Sequence, residues 1–150
     1  MTDKEFKKKY NLIPANDELL TTKLENFDFK EPPVDPEELA RDLIAHMRYY
    51  GGIGLSANQL GLPYRVFTME GDPAFVCFNP RITAYAGEEV KMDEGCLSYP
   101  GLYVKKARPE IIRCRFFSPT GTPIVKKFTG MTSRIFQHEM EHMEGGNFLE

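Results

Sequence analysis

His138-Glu139-Met140-Glu141-His142 restricts this chain more than any other stretch of it. Each residue of an α-helix turns by roughly 100°, so histidines four apart lie about 40° apart around the axis and one turn apart along it. Two imidazoles so placed can grip one ion, and Glu139, beside the first of them, can reach a water held there. Chance also puts pairs of histidines on solvated helices. The pattern therefore asks the rest of the chain for a third ligand and for donors to a developing oxyanion.

The chain has 150 residues, which fits a single domain, 1–150, able to bury a core without disulfide staples. A net charge of -3, with both signs interspersed, argues against a protein that coats nucleic acid, and sequence-specific nucleic-acid binding is not expected. No stretch reaches the length of a membrane span. The N-terminus, with Lys4, Lys7, Lys8 and Lys9, lacks the apolar region of a secretory signal; Asp3 and Glu5, with no arginine before Arg41, argue against an organellar transit peptide. Three widely spaced cysteines fit a reducing compartment, so a cytoplasmic location is expected. The lysine run at 7–9 reads first as a solvated arm, and second as a docking contact with an acidic partner such as ribosomal RNA.

Lys30 to Pro36, with Pro32, Pro33 and Pro36, reads as an extended connector, and Asp35-Pro36 supplies an N-cap followed by proline at the first helical position. The spacing of Leu39, Leu43, Ile44 and Met47 predicts a helix to about Tyr50, ended by Gly51-Gly52. His46 within it reads as a surface or packed residue. Strands are expected at about Tyr64–Met69, Phe75–Phe78, Ile82–Val90, Leu102–Lys105, Glu110–Phe117 and Pro123–Phe128, the last two joined as a hairpin by Ser118-Pro119-Thr120-Gly121. A final helix from about Met131 to Glu144 carries the paired histidines and stops at Gly145-Gly146. The order indicates an α+β fold, with mostly antiparallel sheets packed around a central metal-binding helix.

Cys96 is the candidate third ligand. Cys77 and Cys114 each sit inside an apolar β run, where a free cysteine behaves as a small hydrophobe. Cys96 follows Gly95 and precedes a Ser-Tyr-Pro-Gly stretch, where sulfur can point into a cleft. One thiolate and two imidazoles leave an open position on a metal, the pattern of a catalytic rather than a structural site. In Gly52-Ile53-Gly54-Leu55-Ser56-Ala57-Asn58-Gln59, small residues let a substrate backbone approach, and Gln59 offers a neutral amide donor for an oxyanion. The same stretch can also be a plain loop after a helix; as a phosphate cradle it lacks the P-loop lysine and the full GxGxxG spacing.

Taken together, GIGLSANQ (52–59), EGCLS (94–98) and QHEMEH (137–142) resemble, in order and separation, the three motifs of the peptide deformylase family. The likeness runs from about Pro14 through Gly146 and includes Phe78-Asn79-Pro80 and Pro100-Gly101. It implies an enzyme that removes the N-formyl group from the formylmethionine of nascent polypeptides and releases formate. It implies that Cys96, His138 and His142 bind one divalent metal, with Glu139 as general acid/base and Gln59 and the backbone N–H of Leu97 as oxyanion donors. Ile53 and Gly54 would line the substrate cleft, with Ile53 and Leu97 near the methionine side chain. Thiolate and imidazole ligands suit Fe(II), Ni(II), Co(II) or Zn(II); the resemblance implies Fe(II) in the cell, with zinc a common occupant after purification. A monomer working in a bacterial or phage-infected cell is expected.

Two departures stand out. The family commonly has aspartate where this chain has Glu141, which lies about 60° around the helix from His138, on the side away from Glu139. Glu141 therefore reads as a packing or supporting residue rather than a ligand. The sequence also ends eight residues beyond His142, where many members continue into a C-terminal segment; the outline resembles compact deformylases of bacteriophages, and a transient ribosome contact would then fall to the Lys7–Lys9 arm. Two rival readings are a zinc peptidase and a catalytically silent binder of formylmethionine N-termini or of a structural metal. The first leaves EGCLS and GIGLSANQ without a role, and the second leaves Glu139 and Gln59 without one.

Overall fold

The computed structural model describes residues 6–149; Asp3, Lys4 and Glu5, used above to read the N-terminus, lie outside them. Asp35 caps the first helix by accepting from the Glu37 N–H, and Pro36 opens it with a fixed φ and no orphan donor. This helix, α1 (Pro36–Tyr49), ends where Gly51 takes a positive φ of 74°. There follow β1 (Gly54–Ser56), a 3-10 turn (Ala57–Leu60), β2 (Val66–Met69), β3 (Phe75–Cys96), β4 (Tyr99–Phe117), β5 (Pro123–Thr129) and α2 (Gly130–Met143). The strands form one five-stranded sheet in the order β1-β2-β3-β4-β5, every neighbouring pair antiparallel. The α+β arrangement is the one the sequence predicts.

Alternation along the central strands decides which helix lies on which face. Val66, Val76 and Phe78 join Leu39, Leu43 and Met47 of α1 in one buried cluster. Phe67, Met69, Cys77 and Cys114 join Phe136, Met140 and Met143 of α2 in the other. The sheet therefore separates two cores, and the helix carrying the histidines is held by one whole face of it. Cys77 and Cys114 are packed hydrophobes, as expected, and burial raises both thiols above their ordinary pKa, Cys114 to about 11.

Four expected strands are two. The segments around 75–78 and 82–90 fuse into β3, and those around 102–105 and 110–117 into β4. The break read at Asn79-Pro80 is a register shift inside a continuous ladder, between Phe78 and Arg81, and a second shift, between Ala86 and Glu89, falls within the strand expected at 82–90. Asn79 and Gly87 supply the positive φ values there, 50° and 77°, so the breaker residues bend and twist the ribbon without ending it. Pro109 also stays within β4, opposite Glu89 at the edge of the second shift. The turn at this ribbon's end is Leu97-Ser98, directly after Cys96, rather than the Ser-Tyr-Pro-Gly stretch. The hairpin of β4 and β5 forms as expected, with Gly121 N–H donating to Ser118 O at 2.8 Å.

His46 is a packed residue. It is 1% exposed, and its Nε2 accepts from the N–H groups of both Lys9 and Tyr10 at 3.1 Å. That contact, with the Lys9 ammonium between Glu38 and Asp42, docks this end of the lysine arm on α1, whereas Lys7 and Lys8 remain exposed.

Asn79 does more than bend β3. Its Oδ1 accepts from Phe27 N–H at 2.6 Å and its Nδ2 donates to Phe27 O at 3.0 Å, both buried. Asn79→Ala strands both backbone groups and puts a Cβ-bearing residue without a local hydrogen bond at positive φ. A loss of about 3 kcal/mol is expected in urea unfolding; a change below about 0.5 kcal/mol would show that the bridge is dispensable.

Candidate metal centre and cleft

The long β3–β4 ribbon delivers Cys96 at its tip to the face of α2 that carries the histidines. Ligand atoms of Cys96, His138 and His142 all lie within 4.8 Å of one another. Cys96 Sγ is 3.5 Å from His142 Nε2, and the two imidazole centroids are 5.2 Å apart at 70°. Asn58 Nδ2 donates to His142 O at 3.2 Å, fastening the last turn of α2 to the 3-10 turn of the glycine-rich segment. Three soft or borderline donors thus converge, in the set that suits a first-row divalent metal.

The two histidines differ in charge. Burial pushes His142 down to about 3, aided by its neighbour His138, so it is neutral and its lone pair is free for coordination. Burial acts downward on His138 too, but its hydrogen bonds with Cys96 and Glu94 outweigh this and carry it up to about 10. Coordination by His138 would need the neutral imidazole, so metal uptake at this site would be coupled to loss of its proton.

Glu94 is the site residue that sequence reading passed over. It is 7% exposed, and its carboxylate accepts from Arg108 Nε at 2.6 Å, Arg108 Nη2 at 2.8 Å and Arg134 Nη1, while its Oε1 lies 3.2 Å from His138 Nδ1. Burial alone would favour the neutral acid, but these partners hold the carboxyl far below the usual carboxylate range. The Nδ1 contact fixes the His138 ring and leaves Nε2 for a ligand. Arg134 was legible in principle: it stands one turn before His138, on the same face of α2. Arg108 comes from a distant strand and gave no local signal.

Glu139 is 3% exposed, and one of its carboxylate oxygens, Oε1, is buried without a hydrogen-bond partner among the described residues. Burial raises its pKa to about 7, against the opposing pull of His138 and Arg108. A buried, unpartnered carboxylate beside three metal-type donors fits a residue that handles a proton on a bound water. Gly54 makes room for it: a Cβ there would stand 2.6 Å from Glu139 Oε2. Gly52 has the same relation to Leu97, at 2.7 Å from its Cδ1.

Gln59 is oriented from behind. Ser56 N–H donates to its Oε1 at 3.0 Å, which turns Nε2 toward the site, where it donates to Ser98 Oγ at 2.9 Å and makes a longer contact of 3.5 Å with Cys96 Sγ. Ile53, Gly54, Gln59, Cys96, Leu97, His138 and Glu139 all border one cavity of about 380 Å³. Its remaining wall is largely apolar, with Met92, Leu102, Tyr103, Met131 and Ile135, and Ile53 stands at its lip, 56% exposed. Every residue singled out in the three motifs as catalytic, ligating or substrate-lining borders this cavity except His142, which adjoins it through its contact with Cys96. Glu141 does not enter the cavity; it pairs with Arg108 and Lys106 outside it.

A family model described as polypeptide deformylase matches residues 9–150. A peptide deformylase of Synechococcus sp. (strain CC9605) is 38% identical over 119 residues, 75% of this chain and 59% of that protein, so the chain spans well under two thirds of that relative's length. Among solved structures, a peptide deformylase from Synechococcus elongatus in complex with actinonin superposes with a TM-score of 0.86 at 30% identity, covering 93% of this chain and 78% of the other. The corresponding protein of a Vibrio parahaemolyticus bacteriophage, also in complex with actinonin, gives a TM-score of 0.84 at 30% identity and covers 91% and 98%. With the family model spanning nearly the whole sequence, the chain belongs to the polypeptide deformylase family.

Proposed function

We propose that this protein hydrolyses the N-formyl group from the formylmethionine of newly made polypeptides, releasing formate and a free amine. The observation that carries the reading is the convergence of the Cys96–His138–His142 donor set, of which Cys96 and His138 line one apolar-walled cavity, with an inward-turned Gln59 amide and a buried Glu139 carboxylate whose Oε1 has no partner among the described residues. That donor set and the orphaned Glu139 Oε1 fit a resident divalent metal, Fe(II) in the cell and Zn(II), Ni(II) or Co(II) as substitutes. A divalent ion held by Cys96, His138 and His142 lowers the pKa of a bound water from about 15.7 to about 7.

The remaining work belongs to the protein. Glu139, with its pKa raised to about 7, takes the proton of the attacking water at Oε1 and returns it to the amine nitrogen as the C–N bond breaks. Charge that develops on the formyl oxygen is met by Gln59 Nε2, whose second N–H makes only the long contact with Cys96, and by the backbone N–H of Leu97 at the hairpin tip. Gly54 lets the substrate backbone lie close, and Ile53 and Leu97, with Met92 and Ile135, receive the methionine side chain. Glu94 keeps the His138 ring in place.

The setting we infer is the bacterial or phage-infected cytoplasm, with the protein acting as a monomer on emerging chains. Among the described residues no helix is long and apolar enough to cross a membrane. Transient contact with the ribosome would use exposed Lys7 and Lys8, since Lys9 is tied to α1.

Formate release from formyl-Met-Ala-Ser by anaerobically iron-loaded protein tests the reading. Glu139→Gln should lower turnover by about 10²–10⁴-fold. No release from folded, metal-loaded wild type would leave a binding protein; release that survives the substitution would remove Glu139 from its role. Gly54→Ala should cost about a hundredfold in kcat by displacing the Glu139 carboxylate, with Co(II) affinity unchanged because Gly54 approaches Glu139 and Ile135 rather than the ligands. Wild-type kcat in that variant would mean that Glu139 needs no fixed position.

A further inference from the structure

Glu141 occupies a place that the reaction does not use, yet it is bound more tightly than an ordinary helix-surface carboxylate. Its Oε1 accepts from Arg108 Nη1 at 2.5 Å, and its Oε2 is 3.8 Å from Lys106 Nζ. Arg108 is 7% exposed, and its other two corners, Nε and Nη2, form a fork on Glu94. Glu94 in turn meets His138 Nδ1. Glu141 and His138 sit three apart on α2, so the contacts close a ring: from His138 to Glu94 on β3, to Arg108 on β4, and back to Glu141 on α2. We propose that Glu141 is a positioning residue for the metal-binding imidazole of His138, acting through Arg108 and Glu94. The proposal rests on the metal-site reading above and adds to it a residue outside the ligands and outside the cavity.

Two physical arguments carry it. A guanidinium is planar and rigid, so gripping Nη1 as well as the Nε–Nη2 edge fixes its plane against rotation and sliding. Glu94 takes its orientation from that plane, and the His138 ring takes its own from Glu94 Oε1. Without Glu141 the guanidinium keeps only the Glu94 edge, and it is Glu94 that would follow its movement. The second argument is charge. Arg108 and Arg134 both bond Glu94; against that carboxylate alone the excess is one positive charge, and Glu141 offsets it. Excess positive charge next to a cation site opposes a divalent ion, and burial lessens solvent screening. The arrangement also depends on glutamate's length. Aspartate, shorter by one methylene, would have to draw Arg108 outward to keep the 2.5 Å bond.

Direct Co(II) binding to the metal-free protein tests this independently of catalysis, read from cobalt–thiolate absorption and competition with a chelator. Glu94→Gln sets the scale, with an expected loss of about 10–100-fold in affinity, as for an immediate partner of a metal-ligating histidine. Glu141→Gln should raise Kd by about 3–10-fold, a smaller loss because the effect passes through two side chains. Glu141→Asp should fall between that variant and wild type. With Arg108→Met in the background, Glu141→Gln should cost nothing further, because the route is already cut. Formate release at limiting Co(II) should fall in Glu141→Gln and recover in excess Co(II), with KM for the formyl peptide unchanged.

An unaltered Kd in Glu141→Gln overturns the proposal, including where the variant merely melts earlier, since that outcome marks a structural residue only. An undiminished cost in the Arg108→Met background overturns the route. Should Arg108→Met not fold, the Glu141→Gln and Glu141→Asp affinities decide. Failure of the wild type to bind Co(II) would sink the metal reading and the proposal together, whereas Co(II) binding without formate release would sink the deformylase reading alone.

Discussion

A buried carboxylate held by four contacts from three side chains governs the architecture around the site. An isolated ionised Glu94 at 7% exposure would be strongly unfavourable. Its two arginines and His138 remove that penalty, and they come from two other elements: Arg108 from β4, Arg134 and His138 from α2, with Glu94 itself on β3. The carboxylate can be ionised and buried only if the ribbon lies against the helix in one register. Arg134 Nη1 also donates to Lys106 O, and its Nη2 to Val90 O, so backbone of both ribbon strands is fastened by the same side chain. Removing one partner of such a cluster is far more costly than never building it, and this makes the register specific.

That register has a chemical consequence two residues further on. Cys96 follows Glu94 by two positions on the same strand, so docking Glu94 against α2 also carries the sulfur to the histidines. The ribbon is otherwise poorly anchored: from Tyr85 to Asp93 its residues are exposed and contribute little to either core. A long solvated hairpin would be a weak scaffold for a metal ligand. Ionic contacts of Glu94 and Arg108 in its outer half substitute for apolar burial, and the Gln59–Ser98 bond adds a second tie at the turn itself. On the helix side, rigidity comes from packing: Phe136 and Met143 are fully buried, and the end of α2 is held by Asn58 and by Arg65, which donates to Met143 O and Leu24 O.

What could be read from the sequence divides along the same line. The paired histidines, α1 with its Asp35-Pro36 start, and the β4–β5 turn follow from contacts within a few residues, and the structure has them close to their expected limits. Cys96 was separable from Cys77 and Cys114 because its neighbours are glycine and turn residues rather than an apolar run. The strand boundaries failed where Asn79 and Pro109 stand inside long strands, since local propensity cannot distinguish an irregularity inside a long ribbon from a break between two short strands. Arg108 and Glu94 lie 14 residues apart across the hairpin, and Glu141 is 33 from Arg108. No periodicity links such positions; only the register of β3 on β4 brings them together.

The contrast between Glu94 and Glu139 shows how one small region gives two buried carboxylates opposite tasks. Glu94 lies against α2 and Glu139 lies on it, and the two are almost equally inaccessible, at 7% and 3%. Glu94 has a partner for each lone-pair direction that matters and is locked in the charged form, which suits a side chain that must hold an imidazole still. Glu139 lacks any partner for Oε1 among the described residues, and burial lifts it to about 7, where proton uptake and release are nearly balanced at neutral pH. The separation depends on where the arginines reach. Arg108 and Arg134 spend their donors on Glu94, Glu141 and backbone carbonyls, and none of their bonds falls on Glu139. A guanidinium turned toward Glu139 would hold it as a permanent anion and end its use as a proton carrier. Fixing the arginines on their own carboxylates therefore keeps Glu139 titratable while keeping His138 in place.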